Sequence, residues 1–426
     1  MTFAHLRAVL DEVAELGSRF AAAEFRIFLV GGIVRDSWLD QDLDASSDID
    51  LTTDARPEDI KQIVTPIADD LWTQGERFGT IGMRLADRDY EVTTHRAESY
   101  DPDSRKPQVS FGDSIDADLS RRDFTVNAMA IELPDGDLVD PYGGAVDLEA
   151  GVLRTPLAAD VSFSDDPLRM LRAARFATKY SLTPHEELFI SAIKLHKRLR
   201  IVAIERIGVE MRRLLSLNDP SMGLRFLVET GLLAEVTCYG EPERIATVQP
   251  RLDAGLHAMA RVEGDWQLRL AALGMVLFDD AAGVAAMAQR LRLSVNDARA
   301  MTGPSKLASG ALTPGASTPA ALRAWVLSDR SNDRSDALRL ATAIEPTSTD
   351  LTTFIKNYGA LRDSEGFDVA FLDGDRIKAT LDLAAGPQIG EAVDHLHRYY
   401  FEHGPSELGE QVSELKRWWT TRATNA

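Results

Sequence analysis

At Pro167 the apolar pattern of this chain changes character, and that change restricts the possible folds more than any single motif does. Upstream, short apolar runs alternate with turn residues; downstream, apolar residues recur at helical spacing as far as Trp418-Trp419. Strands need a period of two and helices a period near 3.6, so a chain with the two patterns in separate parts is α+β. Residues 3–22 read as an amphipathic helix carrying Phe3, Leu6, Val9, Leu10 and Val13 on one face. Residues 25–30 read as a strand broken by Gly31-Gly32, with a short helix at 33–39. A second strand covers 49–53, and Arg56-Pro57 opens a helix expected to reach Asp70. Residues 79–85 and 89–95 form a strand pair about Asp87-Arg88. Residues 97–117 read as a mobile loop. Residues 128–133 and 138–140 form a hairpin about Pro134-Asp135-Gly136.

With 426 residues the chain exceeds one ordinary core of about 100–200 residues. The expected division is a mixed-sheet head at 1–156, a helical neck at 157–217, a helical body at 218–300, and a linker with helical tail at 301–426. The Gly-, Ser-, Thr- and Pro-rich stretch 302–319 reads as the linker. No apolar run approaches the ~18 residues that span a membrane, and the first residues lack a basic region followed by an apolar stretch, so no signal peptide is expected. The single cysteine, Cys238, can form no internal disulfide, which agrees with a cytoplasmic location. The net charge of −20 argues against a protein that coats nucleic acid, because such binding uses Lys and Arg to neutralise phosphates. Yet residues 166–216 hold eleven Lys/Arg against five Asp/Glu, a local net of +6 that leaves −26 for the rest. That stretch is either a place for a polyanion or a solvated helical surface.

Asp48-Ile49-Asp50 is the central chemical feature. On a strand, residues i and i+2 face the same side, so two carboxylates project together while Ile49 faces the core. Such a pair suits Mg²⁺, which prefers carboxylates, water and phosphate oxygens. By itself the pattern is also an ordinary strand end. Gly31-Gly32, followed by Arg35, lets backbone N–H groups approach a phosphate, or makes a simple tight turn. Arg121-Arg122-Asp123, with Asn127 beyond, offers guanidiniums for a triphosphate or forms a surface ion pair. Asp166-Pro167 is expected to cap a helix, with Pro167 at its first position. Arg169, Arg172 and Arg175 follow at three-residue steps along one face of that helix. A carboxylate only accepts hydrogen bonds and Arg only donates. An Asp/Arg pair therefore suits cytosine and adenine, which each place an amino donor beside a ring acceptor, and disfavours uracil and guanine.

Together these segments resemble the class II CCA-adding enzymes and bacterial poly(A) polymerases of the polymerase-β nucleotidyltransferase superfamily. The resemblance rests on Leu29 to Asp36, Asp48-Ile49-Asp50, Glu91 to Arg96, Arg121 to Ala128 and Asp165 to Arg172, in that order across residues 25–215. It implies a polymerase-β-like head followed by neck, body and tail. It implies Mg²⁺ at Asp48 and Asp50, with Glu91 as an accessory carboxylate. It implies nucleotide contacts at Gly31, Gly32, Arg35, Arg122, Asp123, Asn127, Asp166, Arg169, Arg172 and Arg175. Glu205-Arg206 and Glu210 resemble an element that braces the neck, and Gly386 to Gly390 a tail motif of longer members that grip tRNA. The implied reaction adds CMP, CMP and AMP from CTP and ATP to the tRNA 3′ end, with release of pyrophosphate. A poly(A) polymerase or A-adding enzyme is the alternative. An inactive RNA-binding scaffold would not need the intact carboxylates, nor a small-molecule nucleotidyltransferase the basic neck.

Two departures stand out. An acidic loop at 40–44 lengthens the segment before Asp48 and is expected to be surface decoration. Many longer relatives carry a His-Asp phosphohydrolase domain after residue 220; here that stretch reads Leu277-Phe278-Asp279-Asp280, so no phosphohydrolase activity is expected.

Overall fold

The computed structural model describes residues 4–39, 48–86, 88–99, 108–329, 333–366 and 370–425. The acidic loop at 40–44 and the centre of the 97–117 segment lie outside them. The chain divides into two compact units, Met1–Val236 and Thr237–Ala426.

The first unit opens with helix α1 (Ala4–Ala22), strand β1 (Ile27–Val30), α2 (Gly32–Trp38), β2 (Ile49–Thr53) and α3 (Pro57–Val64). The last of these stops six residues short of the expected Asp70. Thr65 caps the helix, still in helical backbone, and Pro66 after it has no N–H with which to continue the ladder. The chain instead forms β3 (Asp70–Trp72), then β4 (Thr80–Leu85) and β5 (Arg88–Thr94). The segment read as a loop is structured at both ends. β6 (Arg96–Ser99) pairs with β7 (Gln108–Phe111), and α4 (Ile115–Ser120) follows with Ser114 as its cap. Backbone pairing satisfies a polar segment whose side chains give no strand signal. β8 (Ala130–Leu133), β9 (Asp137–Val139), α5 (Gly144–Ala150) and β10 (Val152–Leu153) complete the head.

Seven strands make one mixed sheet in the order β3-β4-β5-β2-β1-β8-β9. β2 and β5 run parallel and the other neighbours antiparallel. One face is apolar: Ile27, Leu29, Ile49, Leu51, Ile81, Met83 and Val92 are fully or almost fully buried. Each such side chain contributes roughly 1.5–3 kcal/mol relative to exposure. On the other face, Ile115 and Leu119 of α4 pack on Phe28 and Val30 of β1. That cover stops at β1, and β2-β5-β4-β3 keep a polar, open face carrying Asp50 and Glu91.

The rest of this unit is helical: α6 (Ala159–Asp165), α7 (Arg169–Tyr180), a two-residue strand β11 (Thr183–Pro184) beside β10, α8 (Glu186–Leu195), α9 (Ile204–Leu215) and α10 (Ser221–Glu229), with α11 (Leu232–Thr237) at the boundary. Asp166 serves the start of α7 two residues earlier than a standard cap, its Oδ1 accepting from the Leu168 N–H at 3.1 Å. Pro167-Leu168 forms a tight turn before the helix proper.

The second unit holds α12 (Ile245–Val248), α13 (Leu252–Ala260), α14 (Trp266–Phe278), α15 (Ala281–Arg290), α16 (Val295–Ala311), α17 (Pro319–Ser328), α18 (Arg334–Ile344), α19 (Thr349–Glu365), α20 (Gly374–Leu381), α21 (Pro387–His403) and α22 (Leu408–Asn425). The expected linker gives way to helix through Ala311, with Pro304 buried inside α16. Burial outweighs the intrinsic preferences of its small residues. Asp279 ends α14 in left-handed backbone and Asp280 caps α15 through the Gly283 N–H, so this acidic pair terminates helices. No single described helix is long and apolar enough to cross a membrane.

Candidate active site

The site begins where β1 ends. Gly31 has φ +81, and a Cβ placed on it would lie 3.3 Å from Asp50 Oδ2 and 3.7 Å from Arg122 Nη1. Glycine thus admits both the backbone turn and the close approach of a carboxylate and a guanidinium. Asp50 alternates on β2 with buried Ile49 and Leu51, so its side chain faces the open side of the sheet. Its register partner on β5 is Glu91, on the same face, and Asp48 precedes the strand on the solvent side. Surrounding protein holds the Asp50 carboxyl above the ordinary carboxylate range; Arg122 opposes this, while Glu91 and Asp48 add to it. Like charges raise a carboxyl pKa in this way until a cation arrives.

Among the described residues no three His, Cys, Asp or Glu side chains converge into a metal cage. Two neighbouring carboxylates are the donor set that Mg²⁺ completes with water and substrate phosphate, so the residues present fit such an ion.

Arg121 and Arg122 are held from below by Asp118 of α4, which is almost fully buried. Its Oδ1 accepts from Arg121 Nε at 3.2 Å and from the Arg96 backbone N–H at 3.2 Å; its Oδ2 accepts from Arg122 Nη2 at 3.4 Å. Burial pushes the Asp118 carboxyl up, but Arg122 and Arg121 overcome that and hold it below its usual range. Arg122 Nε is buried without a hydrogen-bond partner. Asp118 was not singled out in the sequence. Its signal is its place three and four residues before the two arginines on a helix.

Five further predicted residues, Arg35, Asp123, Asn127, Arg172 and Arg175, form a second cluster, where α7 meets the head. Asp123 Oδ2 accepts from Arg172 Nε at 2.8 Å and Nη2 at 2.6 Å, and its Oδ1 accepts from Asn127 Nδ2 at 2.9 Å. Burial raises the Asp123 pKa, yet Arg172 and Asn127 carry it below the carboxylate norm. Arg35 donates from Nε and Nη2 to Asp36 at 2.8 and 2.9 Å, and from Nη1 to Asn127 Oδ1. Its guanidinium also lies 4.2 Å from the Tyr180 ring centre. Tyr180 and Phe176, one helical turn apart on α7, are the aromatic floor that sequence reasoning missed. Arg175 donates from Nε to Glu210 Oε2 at 2.6 Å, and Arg172 Nη1 reaches Glu210 Oε1 at 3.4 Å. Glu210 is buried, and its brace role agrees with the sequence reading.

Asp166 and Arg169 stand together at the entrance to α7 but are engaged elsewhere. Asp166 Oδ2 accepts from Arg206 Nη2 at 2.8 Å. Arg169 donates from Nη1 to Ser162 Oγ at 2.8 Å and from Nη2 to the Arg121 carbonyl. Apart from Asp166 and Arg169, most predicted residues thus occupy two groups within the first unit: Gly31, Asp48, Asp50, Glu91 and Arg122 around the strand ends, and Arg35, Asp123, Asn127, Arg172 and Arg175 in a braced cluster. Gly32 opens α2 between them.

Residues 27–154 match the poly A polymerase head domain, and residues 181–237 match the probable RNA and SrmB-binding site of polymerase A. Residues 27–154 are thus similar to a poly A polymerase head domain. The chain is 37% identical over 231 residues to a CCA-adding enzyme of Latilactobacillus sakei and 34% identical over 259 residues to one of Bacillus subtilis. These alignments cover 54% and 60% of this chain, and 54% and 62% of those relatives. The chain thus spans little more than half the length of the curated relatives it matches. Its fold is that of the Bacillus stearothermophilus CCA-adding enzyme in complex with CTP, with a TM-score of 0.69 at 23% identity over 98% of this chain and 99% of that one. The Thermotoga maritima CCA-adding enzyme complexed with tRNA gives 0.65 at 20% identity over 97% and 96%. The poly A polymerase-type head and the helical remainder agree with the resemblance and fold class read from the motifs.

Proposed function

We propose that this chain is a CCA-adding tRNA nucleotidyltransferase of the cytoplasm, transferring CMP, CMP and AMP in turn from CTP and ATP to the tRNA 3′ end. The observation that carries the reading is the approach of Asp50 and Arg122 together to the side-chain position of Gly31, with Glu91 beside Asp50. It puts acceptors for a divalent cation and a donor for a phosphate in one open cleft. The CCA-adding enzymes among the relatives add support.

In the reaction, the terminal 3′ oxygen forms a bond to the α-phosphorus and the bond from that phosphorus to the β-phosphate bridging oxygen breaks. Pyrophosphate leaves and the hydroxyl proton passes to solvent. Asp48 and Asp50 would hold the divalent ion, with Mg²⁺ favoured by the all-oxygen donor set, and Glu91 stands as an accessory carboxylate. When bound, the ion supplies charge neutralisation at the phosphates and lowers the hydroxyl pKa. Arg122, with a buried N–H still unbonded, is placed to donate to the triphosphate. Asp123 fixes Arg172, Asn127 fixes Arg35, and the cluster holds the entrance of α7 in place. Asp166 and Arg169 read the amino edge of cytosine or adenine once they exchange Arg206, Ser162 and the Arg121 carbonyl for the base. The second unit, with the Gly386 to Gly390 motif at the start of α21, provides the grip on tRNA.

Purified protein given tRNA lacking CCA, tRNA ending in C, tRNA ending in CC and an unrelated RNA, with each nucleoside triphosphate in turn, tests the proposal. Addition of C, C and A to the first, stopping there, is expected. Long A tracts on the unrelated RNA would establish the poly(A) alternative, and no incorporation on any RNA would overturn both.

A further inference from the structure

A single register row crosses four strands on the open sheet face. Asp50 of β2 lies beside Glu91 of β5, Glu91 beside Gly82 of β4, and Gly82 beside Trp72 of β3. Residues opposed in register share a face, so Asp50, Glu91 and Trp72 project on the same side. These four strands contribute one aromatic residue to that face, Trp72. Gly82 places no side chain between Glu91 and Trp72. A Cβ there would lie 1.9 Å from Trp72 Nε1 and 2.1 Å from its Cε2, so the indole occupies that space and reaches across β4 toward Glu91. The indole is half-buried, and its N–H has no hydrogen-bond partner among the described residues.

The sheet order puts this row on one flank of Asp50 and the β1 end, with Gly31 and Arg122, on the other. In phosphoryl transfer the attacking oxygen and the leaving group lie roughly in line on opposite sides of the phosphorus. If the triphosphate lies toward Arg122, the attacking hydroxyl comes from the Trp72 side. We propose that Trp72 is the stacking platform for the 3′-terminal nucleotide of the RNA being extended, its N–H donating to an oxygen of that nucleotide. The inference rests on the nucleotidyl-transfer reading above. Stacking on an aromatic face tolerates any base. That suits a strand whose last base changes with every addition.

An aromatic ring over a glycine on the neighbouring strand also stabilises a sheet, so the test must separate grip from stability. Full-length protein is assayed with tRNA lacking CCA and with CTP, each varied at saturating levels of the other. Trp72→Ala is expected to raise the KM for RNA about tenfold or more, with the KM for CTP unchanged. Trp72→Phe keeps the stacking face and should recover most of the loss. Gly82→Ala displaces the indole without removing it. It should raise the RNA KM in the parent chain and have no further effect in Trp72→Ala. An unchanged RNA KM in Trp72→Ala with a lowered thermal midpoint, or an equal rise for CTP, would overturn the platform. If the parent chain extends no RNA, the transfer reading falls. Equilibrium binding of the same labelled RNA then decides Trp72: tighter binding by the parent chain than by Trp72→Ala supports it, and equal affinity overturns it.

Discussion

The two groups of predicted residues differ in how far their charges are already satisfied. In the braced cluster, Arg35, Arg172 and Arg175 each have carboxylate partners, and the guanidiniums flank the rings of Phe176 and Tyr180. At the strand ends, Glu91 and Asp48 each add like charge to the field at Asp50, and Arg122 makes one long contact to Asp118. The first arrangement is a finished structure. The second leaves the Asp50 carboxyl facing like charges. On the proposed reading, the contrast separates residues that hold the fold from residues that take a cation and phosphate, although both kinds carry the same motif charges.

The largest effect that could break this comparison is at Asp50. Asp50→Asn should lower nucleotide incorporation roughly a hundred- to a thousandfold, as removal of a positioned charge does elsewhere. Yet it should stabilise the ligand-free protein. The Asp50 carboxyl is raised, so folding favours its neutral form, and that advantage is lost as pH rises through its folded pKa. The gain in Asp50→Asn should therefore appear near neutral pH and vanish well below about pH 4. Unfolding midpoints across pH check this, and a loss of stability at neutral pH would contradict it. By the same logic, magnesium should raise the midpoint of the parent chain and leave that of Asp50→Asn unmoved.

In the braced cluster the expected effect is on stability. Glu210→Ala leaves Arg172 and Arg175 without their shared partner and should cost about 3–5 kcal/mol, as for a broken buried pair. Chemical denaturation measures this, and a change below about 1 kcal/mol would show that the brace is solvated. Asp123 sharpens the point through pH. Its depressed pKa contributes stability above its unfolded value, lost as pH falls through the folded one. Asp123→Asn should therefore be least stable relative to the parent near neutral pH, and the difference should shrink in acid.

The smallest effect lies between the two groups. Arg206 is more than half exposed, so Arg206→Ala should cost under about 1 kcal/mol of stability. Because it frees Asp166, the KM for CTP and ATP should fall by up to about fivefold, the equivalent of that energy. A rise in both would place Arg206 in nucleotide binding instead.

Much of this was legible in the sequence. The Asp48-Ile49-Asp50 alternation placed both acids outside the core because a strand has a strict period of two. The helical pattern after Pro167 survived because amphipathic helices repeat their signal over many turns. The β6–β7 hairpin was not legible, because pairing between polar segments leaves no apolar trace. Nor was Asp123's bond to Arg172, which joins residues 49 positions apart. The motif grouped Arg122 and Arg172 as alike, and only their partners distinguish a saturated guanidinium from a waiting one. Trp72 escaped because its meaning depends on Gly82, a neighbour set by strand register.

Asp118 shows what such wiring entails. One carboxylate out of reach of water serves the root of the β6–β7 hairpin through the Arg96 N–H and both arginines at the cleft. Its oxygens have no solvent to fall back on, so none of these three attachments can be lengthened without drawing on the other two. The hairpin and the arginine pair therefore share one pin, which ties Arg122 to the turn out of β5 more than twenty residues earlier in the chain.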